Sequence, residues 1–247
     1  MFNYLYKIMT KSITIAAIIE EAKDTFTYKF NIPKGVTWQA GANGHFVVSD
    51  LSGNFQMNKS YVRHLSLMST PEEGFLGFTT RIKENPSVFK QSLEKYKVGD
   101  EMRFFGIKNH IPLERNDSHV VLISMGVGVA TFRPMILDFM ASQEGIRSIT
   151  NINIDRSDSF VYQAELAGIA LPNYHNKFVS DRSALYNHIQ ESLDDKNTSY
   201  YVVGSDEFLR DTNSFLLQHG VPASKLHIDK HDFKKNAFLT AGVVTSL

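Results

Sequence analysis

Two glycine turns and an arginine–serine strand hold most of the residues in this sequence that are able to do chemistry. Val120 to Met125 runs into Gly126-Val127-Gly128-Val129-Ala130, and a helical pattern follows from Thr131. A strand that enters a helix through glycines lets a diphosphate approach the backbone and meet free N–H groups at the helix start, so this is a candidate dinucleotide-binding turn. Any tight strand-to-helix turn also wants glycine on steric grounds, and the turn alone does not separate the two readings. Gly204-Ser205-Asp206, after Tyr200 to Val203, supplies a second such turn at the same sheet edge, where ligands of open α/β sheets gather.

In the first half, strand alternation over Arg63-His64-Leu65-Ser66 puts Arg63 and Leu65 on one face and His64 and Ser66 on the other. A guanidinium beside a hydroxyl suits a phosphate group. On residue types alone, a surface arginine paired to a carboxylate and a solvated serine is the plainer reading. The balance shifts with Thr80-Arg81-Ile82-Lys83, followed after Asn85-Pro86 by a helix start at Ser87-Val88-Phe89, a further anion-receptive place.

These residues need elements to hold them. Up to about Arg115, short runs rich in Val, Ile, Phe and Thr predict strands over 12–20, 25–32, 45–50, 61–68, 74–82 and 101–106, with one helix over 87–96. That spacing predicts a compact antiparallel β-barrel. From His119 the rhythm becomes buried strand, helix, buried strand, as in a parallel sheet with crossover helices. Strands are expected over 119–124, 148–154, 177–180, 199–203 and 225–228, and helices over 131–143, 161–166, 183–193 and 205–219. The polar segment 111–117, with Pro112, reads as the linker, so the expected domains are residues 1–115 and 116–247.

Composition narrows the chemistry. The 247 residues include no cysteine, which excludes disulfides, thiolate-ligated zinc or iron–sulfur clusters and any thiol nucleophile from this chain. With 26 basic and 26 acidic residues, the molecule as a whole has no electrostatic reason to seek nucleic acid or an anionic membrane. The most apolar run, Ile13 to Ile19, is too short to span a bilayer and ends at Glu20, so a strand is the better reading and a cytoplasmic protein is expected. Met9 is an alternative start. GxSxG, HExxH and P-loop signatures are absent, and the pair His227 and His231 reads as ordinary surface, so no metal site is expected.

The order of these segments resembles the ferredoxin–NADP reductase superfamily along nearly the whole chain. There, a flavin-binding barrel carries an RxYS motif and a second phosphate segment at a helix start, and a nicotinamide domain follows with a GxGxxP turn and a late CGP-like turn. The stretches Arg63 to Pro71, Phe78 to Ile82 and Gly126 to Pro134 are particularly similar to stand-alone bacterial FAD-binding oxidoreductases of this group. The departures are Leu65 at the aromatic position of RxYS, Gly106-Ile107-Lys108-Asn109 in place of a GPxG turn, Ala130 in place of proline, and Val203 and Ser205 around Gly204.

The resemblance implies an FAD-dependent NAD(P)H oxidoreductase in which hydride passes between cofactors without a catalytic side chain. Arg63, Ser66 and Ser87 would hold FAD phosphate and ribityl groups, in the segments of Thr80, Arg81, Val88 and Phe89, with His64, Leu65 and Ile82 lining the flavin. Gly126, Val127, Gly128 and Thr131 would approach the nicotinamide dinucleotide, with Gly204, Ser205 and Asp206 near its nicotinamide end. Phe233 would reach the flavin, although residues 234–247 also read as a tail. At the expected adenosine-ribose position, Asp155 favours a free 2′-hydroxyl, whereas Arg156 and Ser157 welcome a 2′-phosphate, with Arg182 as a possible assistant; both nucleotides stay open. Electrons would leave for a separate acceptor, such as a ferredoxin, flavodoxin, ferric chelate or quinone-like molecule. Residues 1 to 115 carry 15 basic and 11 acidic residues and the remainder 11 and 15, which suits an acidic partner for the first domain. A non-catalytic flavin-binding, sensing or assembly protein on the same fold is the alternative.

Overall fold

The computed structural model describes residues 10–50 and 52–239; Met9 and residues 240–247 lie outside them, and of the segment 234–247 read as a tail, residues 234–239 are instead anchored by Phe238, which is buried in an apolar cluster. By internal contacts the chain divides into two units, residues up to Asn109 and residues from His110. No helix among the described residues is long and apolar enough to cross a membrane.

The first unit is a six-stranded antiparallel sheet of β1 (Lys11–Ala22), β2 (Thr25–Phe30), β3 (Ala42–Val47), β4 (Val62–Ser66), β5 (Leu76–Arg81) and β6 (Glu101–Asn109). The strand order is β4-β3-β6-β1-β2-β5. The sheet curls: beyond β4, the Met68 N–H donates to the Gly77 carbonyl of β5 at 2.9 Å, which brings the two edge strands together. Phe30, Phe46, Phe78 and Phe104 fill the interior, with Phe46 ring centroids 4.6 Å from Phe78 and 4.9 Å from Phe104. That packing explains Gly44, where a Cβ would lie 2.4 Å from the Phe104 ring. Helix α1 (Val88–Lys95) buries Phe89 and Leu93 against the same core, and the Tyr28 hydroxyl donates to the Leu93 carbonyl at 3.1 Å.

In the first unit the largest boundary differences from the sequence reading fall at β3 and β6, and strand pairing explains both. β3 starts at Ala42 rather than residue 45, because Ala42 and Asn43 pair with Asn109 and Lys108. For the same reason β6 runs on through Gly106 to Asn109, with Gly106 at φ +66 beside a register shift in the β3–β6 ladder.

The second unit is a parallel sheet of β7 (Ser118–Met125), β8 (Ile146–Ile154), β9 (Tyr174–Val179), β10 (Thr198–Val203) and β11 (Leu226–Ile228), in the order β11-β10-β7-β8-β9. Helices α2 (Val129–Ala141), α3 (Gln163–Ala167), α4 (Arg182–Glu191), α5 (Asp206–Gln218) and the short α6 (Asp232–Lys235) accompany it. The chain passes from β7 to β8 and β9 on one side and returns to β10 on the other. The order therefore reverses between β7 and β10, the place where such sheets bind ligands. Residues 111–117, read as a linker, belong to this unit: Ile111 is 1% exposed. The Tyr201 hydroxyl accepts from the Glu114 N–H at 2.9 Å and donates to the Pro112 carbonyl at 3.2 Å.

Candidate functional sites

In the first unit, Arg63 lies opposite Phe46 and Leu65 opposite Gly44 in the β3–β4 ladder, so both share the face of the core phenylalanine. His64 is on the other face, against His45 at 4.9 Å between ring centroids, and His45 stacks on Phe105 at 4.7 Å. One flat ligand on a face of β4 therefore meets Leu65 or His64, not both. Ser66 pairs with Asn43 at the strand end.

The Arg63 guanidinium donates to the carbonyls of Lys59 and Val62, the latter at 2.8 Å, and sits 5.8 Å from the Phe89 ring centroid. That places its charge at the first turn of α1. Ser87 is the N-cap residue, exposed and extended (φ −62, ψ 159), its side chain makes no capping bond, and the first turn holds no acid. The N–H groups of that turn are thus left for a ligand or solvent. Lys90, one turn into the helix, donates to the Arg81 carbonyl. Its ammonium is held below the ordinary lysine value, first by burial and then by the like charges of Arg63, Lys83 and Arg81. Lys90, with the like charges of Arg63, Arg81 and Lys83 acting on it beside an uncapped helix start, marks a place for a polyanion. Arg81 also donates to the Thr25 hydroxyl at 3.0 Å. Thr80, at 5% exposure, and Ile82, at 7%, are buried on the core side, as is Phe89, whereas Val88 is exposed.

In the second unit, Gly126 (φ +57) turns the chain out of β7 through one 3-10 turn into α2. A Cβ on Gly128 would meet the Val203 carbonyl oxygen at 2.9 Å, so this glycine lets the turn lie against the end of β10. The first turn of α2 carries no capping side chain and no acid, while Val127 and Gly128 are half-buried; Thr131 is buried within the helix. The turn is held from the neighbouring strand. Asn153 of β8, fully buried, donates to the Ser124 hydroxyl at 2.9 Å, the Gly126 carbonyl at 3.1 Å and the Ser124 carbonyl at 3.3 Å.

The other turn has the opposite character. At Gly204 a Cβ would lie 2.5 Å from the Phe208 ring. The Ser205 hydroxyl accepts from the Phe208 N–H at 3.2 Å, and Asp206 and Glu207 occupy the first turn of α5. Asp206 accepts from Lys230 at 2.7 Å, and this hydrogen bond chiefly holds its carboxyl below the usual range. A capped, acidic helix start does not take a phosphate; it suits an uncharged or cationic group.

At the end of β8, Asp155 is 5% exposed and its Oδ1 accepts from the Ser157 N–H at 3.0 Å and hydroxyl at 2.7 Å, while Arg156 is exposed. Arg182 donates to Asp211 at 2.6 Å. Phe233 is 80% exposed, with its ring stacked 5.6 Å from His231. His227 stacks on Tyr201 at 4.3 Å, and His231 meets the His110 ring at 4.4 Å. Among the described residues, no group of three or more His, Cys, Asp or Glu is placed to hold a metal ion.

Sequence reasoning missed Lys90 and Asn153. Lys90 sits three residues after the cap residue Ser87, on the turn where an anion would be met. Asn153 is one of three polar residues, with Thr150 and Asn151, between Ile149 and Ile154, and nothing local distinguishes it from them.

No protein-family model and no curated protein matches the sequence. Solved structures match its fold. A phthalate dioxygenase reductase is 15% identical with a TM-score of 0.72, over 91% of this chain and 68% of that one. A flavohemoglobin from Malassezia yamatoensis with bound FAD and heme is 17% identical with a TM-score of 0.75, over 92% of this chain and 62% of that one, so the present chain spans less than two thirds of it. A ferredoxin NADP+ reductase from Neisseria gonorrhoeae with bound FAD and NADP is 17% identical with a TM-score of 0.73, over 86% of this chain and 92% of that one.

Proposed function

The chain has the two-unit fold of ferredoxin–NADP reductases, a curled antiparallel sheet followed by a parallel α/β sheet, and we propose that it works as an FAD-dependent NAD(P)H oxidoreductase. The observation that carries this reading is the cationic cluster of Arg63, Arg81, Lys83 and Lys90 at the open start of α1. Such a cluster raises the energy of the empty fold and is relieved by a bound diphosphate. The glycine turn at Gly126 to Gly128 is a second open helix start, so the chain offers two diphosphate sites, one in each unit. Residues 1–109 would carry FAD and residues 110–247 the nicotinamide nucleotide.

FAD, when bound, would supply the redox chemistry between a nicotinamide and a one-electron acceptor. The side chains bind and orient. Arg63 and Lys90 neutralise phosphate, the N–H groups of Ser87 to Phe89 receive its oxygens, and Leu65 offers the flavin an apolar face. Asp206 and Ser205 leave the end of β10 free of phosphate-attracting charge, as a nicotinamide requires. The chain has no cysteine to ligate an iron–sulfur cluster, which supports a separate acceptor, and the basic excess of residues 1 to 115 favours an acidic one. The reading places the protein with its NAD(P)H supply in the cytoplasm.

Anaerobic mixing of the FAD-supplemented protein with NADH and with NADPH tests this. Bleaching of the flavin absorbance by either nucleotide is expected; a protein that neither takes up FAD nor supports its reduction refutes the proposal. Arg63→Ala is expected to lower FAD affinity about tenfold or more through loss of a charge-assisted contact, measured by equilibrium dialysis.

A further inference from the structure

We propose that the nucleotide taken by the second unit is NADH rather than NADPH, selected at the C-terminal ends of β8 and β9. The inference rests on the oxidoreductase reading and concerns the adenosine end of the same dinucleotide. β8 is the strand that follows the glycine turn and lies beside β7. A dinucleotide with its diphosphate at the start of α2 carries its adenosine ribose across the end of that next strand.

What stands there is acidic. Asp155 closes β8, and its N–H donates to the Val179 carbonyl at 3.0 Å, joining the end of β8 to the end of β9. Ser157, a natural phosphate donor, has its hydroxyl hydrogen committed to the Asp155 carboxylate at 2.7 Å. Asp158 follows on the same turn at φ +56, exposed. Beyond β9, Asp181 accepts the Ala184 N–H at 2.9 Å and so caps α4. Arg182, the cation next to it, is already neutralised: Asp211 lies at 2.6 Å and Glu207 at 3.8 Å.

A 2′-phosphate placed here brings close to two negative charges against Asp155, Asp158 and Asp181, with the exposed Arg156 as the cation of the turn. A ribose 2′-hydroxyl, uncharged and a hydrogen-bond donor, meets no such repulsion and finds exposed acceptors in Asp158 and Asp181. The arrangement therefore discriminates by repulsion as well as by attraction.

Calorimetric titration of the FAD-loaded protein with NAD+ and with NADP+ provides the test, since it reads binding without turnover. NAD+ is expected to bind at least about tenfold more tightly, which corresponds to about 1.4 kcal/mol. Asp155→Ser should narrow that ratio, but it also removes the acceptor of the 155–157 turn. A second variant, Asp211→Ala, releases Arg182 from α5 and is expected to raise NADP+ affinity several-fold while leaving NAD+ affinity unchanged. Equal affinities in the wild type, or tighter NADP+ binding, overturn the selectivity while leaving the oxidoreductase reading intact. An Asp211→Ala protein with unchanged NADP+ affinity overturns the part assigned to Arg182. Binding of neither nucleotide overturns the oxidoreductase reading itself, and the selectivity with it.

Discussion

The side-chain amide of Asn153 donates to the backbone carbonyl of Gly126 across 3.1 Å, so the glycine turn is fixed by the strand that comes after it. Without that amide, the Ser124 hydroxyl and the Gly126 carbonyl are left buried with a lost donor. Asn153→Ala is expected to destabilise the fold by about 1–3 kcal/mol. Urea denaturation measures this, and titration of the same variant with NAD+ should show weaker binding, because the N–H groups of the turn are no longer held in one geometry. A variant with wild-type stability would remove the clamp from the account.

Lys90 is expected to trade stability for binding. Burial of its ammonium, and then the like charges of Arg63, Lys83 and Arg81, hold its pKa down. The unfolded chain thus keeps the proton more readily than the fold, and stability rises with pH as the alkaline range is approached. Lys90→Met removes that repulsion and is expected to leave the cofactor-free protein within about 0.5 kcal/mol of wild type or more stable, by thermal unfolding. FAD affinity is expected to fall roughly tenfold, measured by flavin fluorescence quenching. A loss of both together would assign Lys90 to packing instead.

His227 makes the fold sensitive to acid. Burial against Tyr201 is the main cause that lowers its pKa, with Lys235 and Lys225 acting in the same direction and Glu114, at 3.7 Å, opposing them. As pH falls through the ordinary histidine value of about 6.5, the unfolded chain protonates before the fold does. This contribution to stability is therefore complete above about pH 6.5 and is lost progressively below it, until the folded chain protonates as well. His227→Phe keeps a ring against Tyr201 but has nothing to titrate. Its urea midpoint is expected to fall less than that of wild type between pH 7.5 and pH 5.5, and parallel profiles would exclude His227 as the source.

Much of the fold was legible in the sequence because hydrophobic period and turn residues act locally. Short runs rich in Val, Ile, Phe and Thr, with turn residues between them, marked the strands of the first half, and the alternation of strand and helical patterns marked the parallel sheet of the second. The glycines at 126, 128 and 204 signalled their turns because a side chain does not fit there: Gly126 has a positive φ, Gly128 lies against the Val203 backbone, and Gly204 lies against the Phe208 ring. Where pairing partners set the boundary, as for β3 and β6, local pattern stopped short by several residues.

What the sequence determined by itself was the order of the pieces: an arginine strand, a helix start after proline, a glycine turn and a strand end carrying Asp155, Arg156 and Ser157, with no cysteine among them. What each charge does was decided only in three dimensions, because ion pairing depends on distance through space and not along the chain. Arg182, which looked like a phosphate ligand, is tied to Asp211, 29 residues away. Ser157 spends its hydroxyl on Asp155. Lys90, unremarkable in the sequence, stands among Arg63, Arg81 and Lys83.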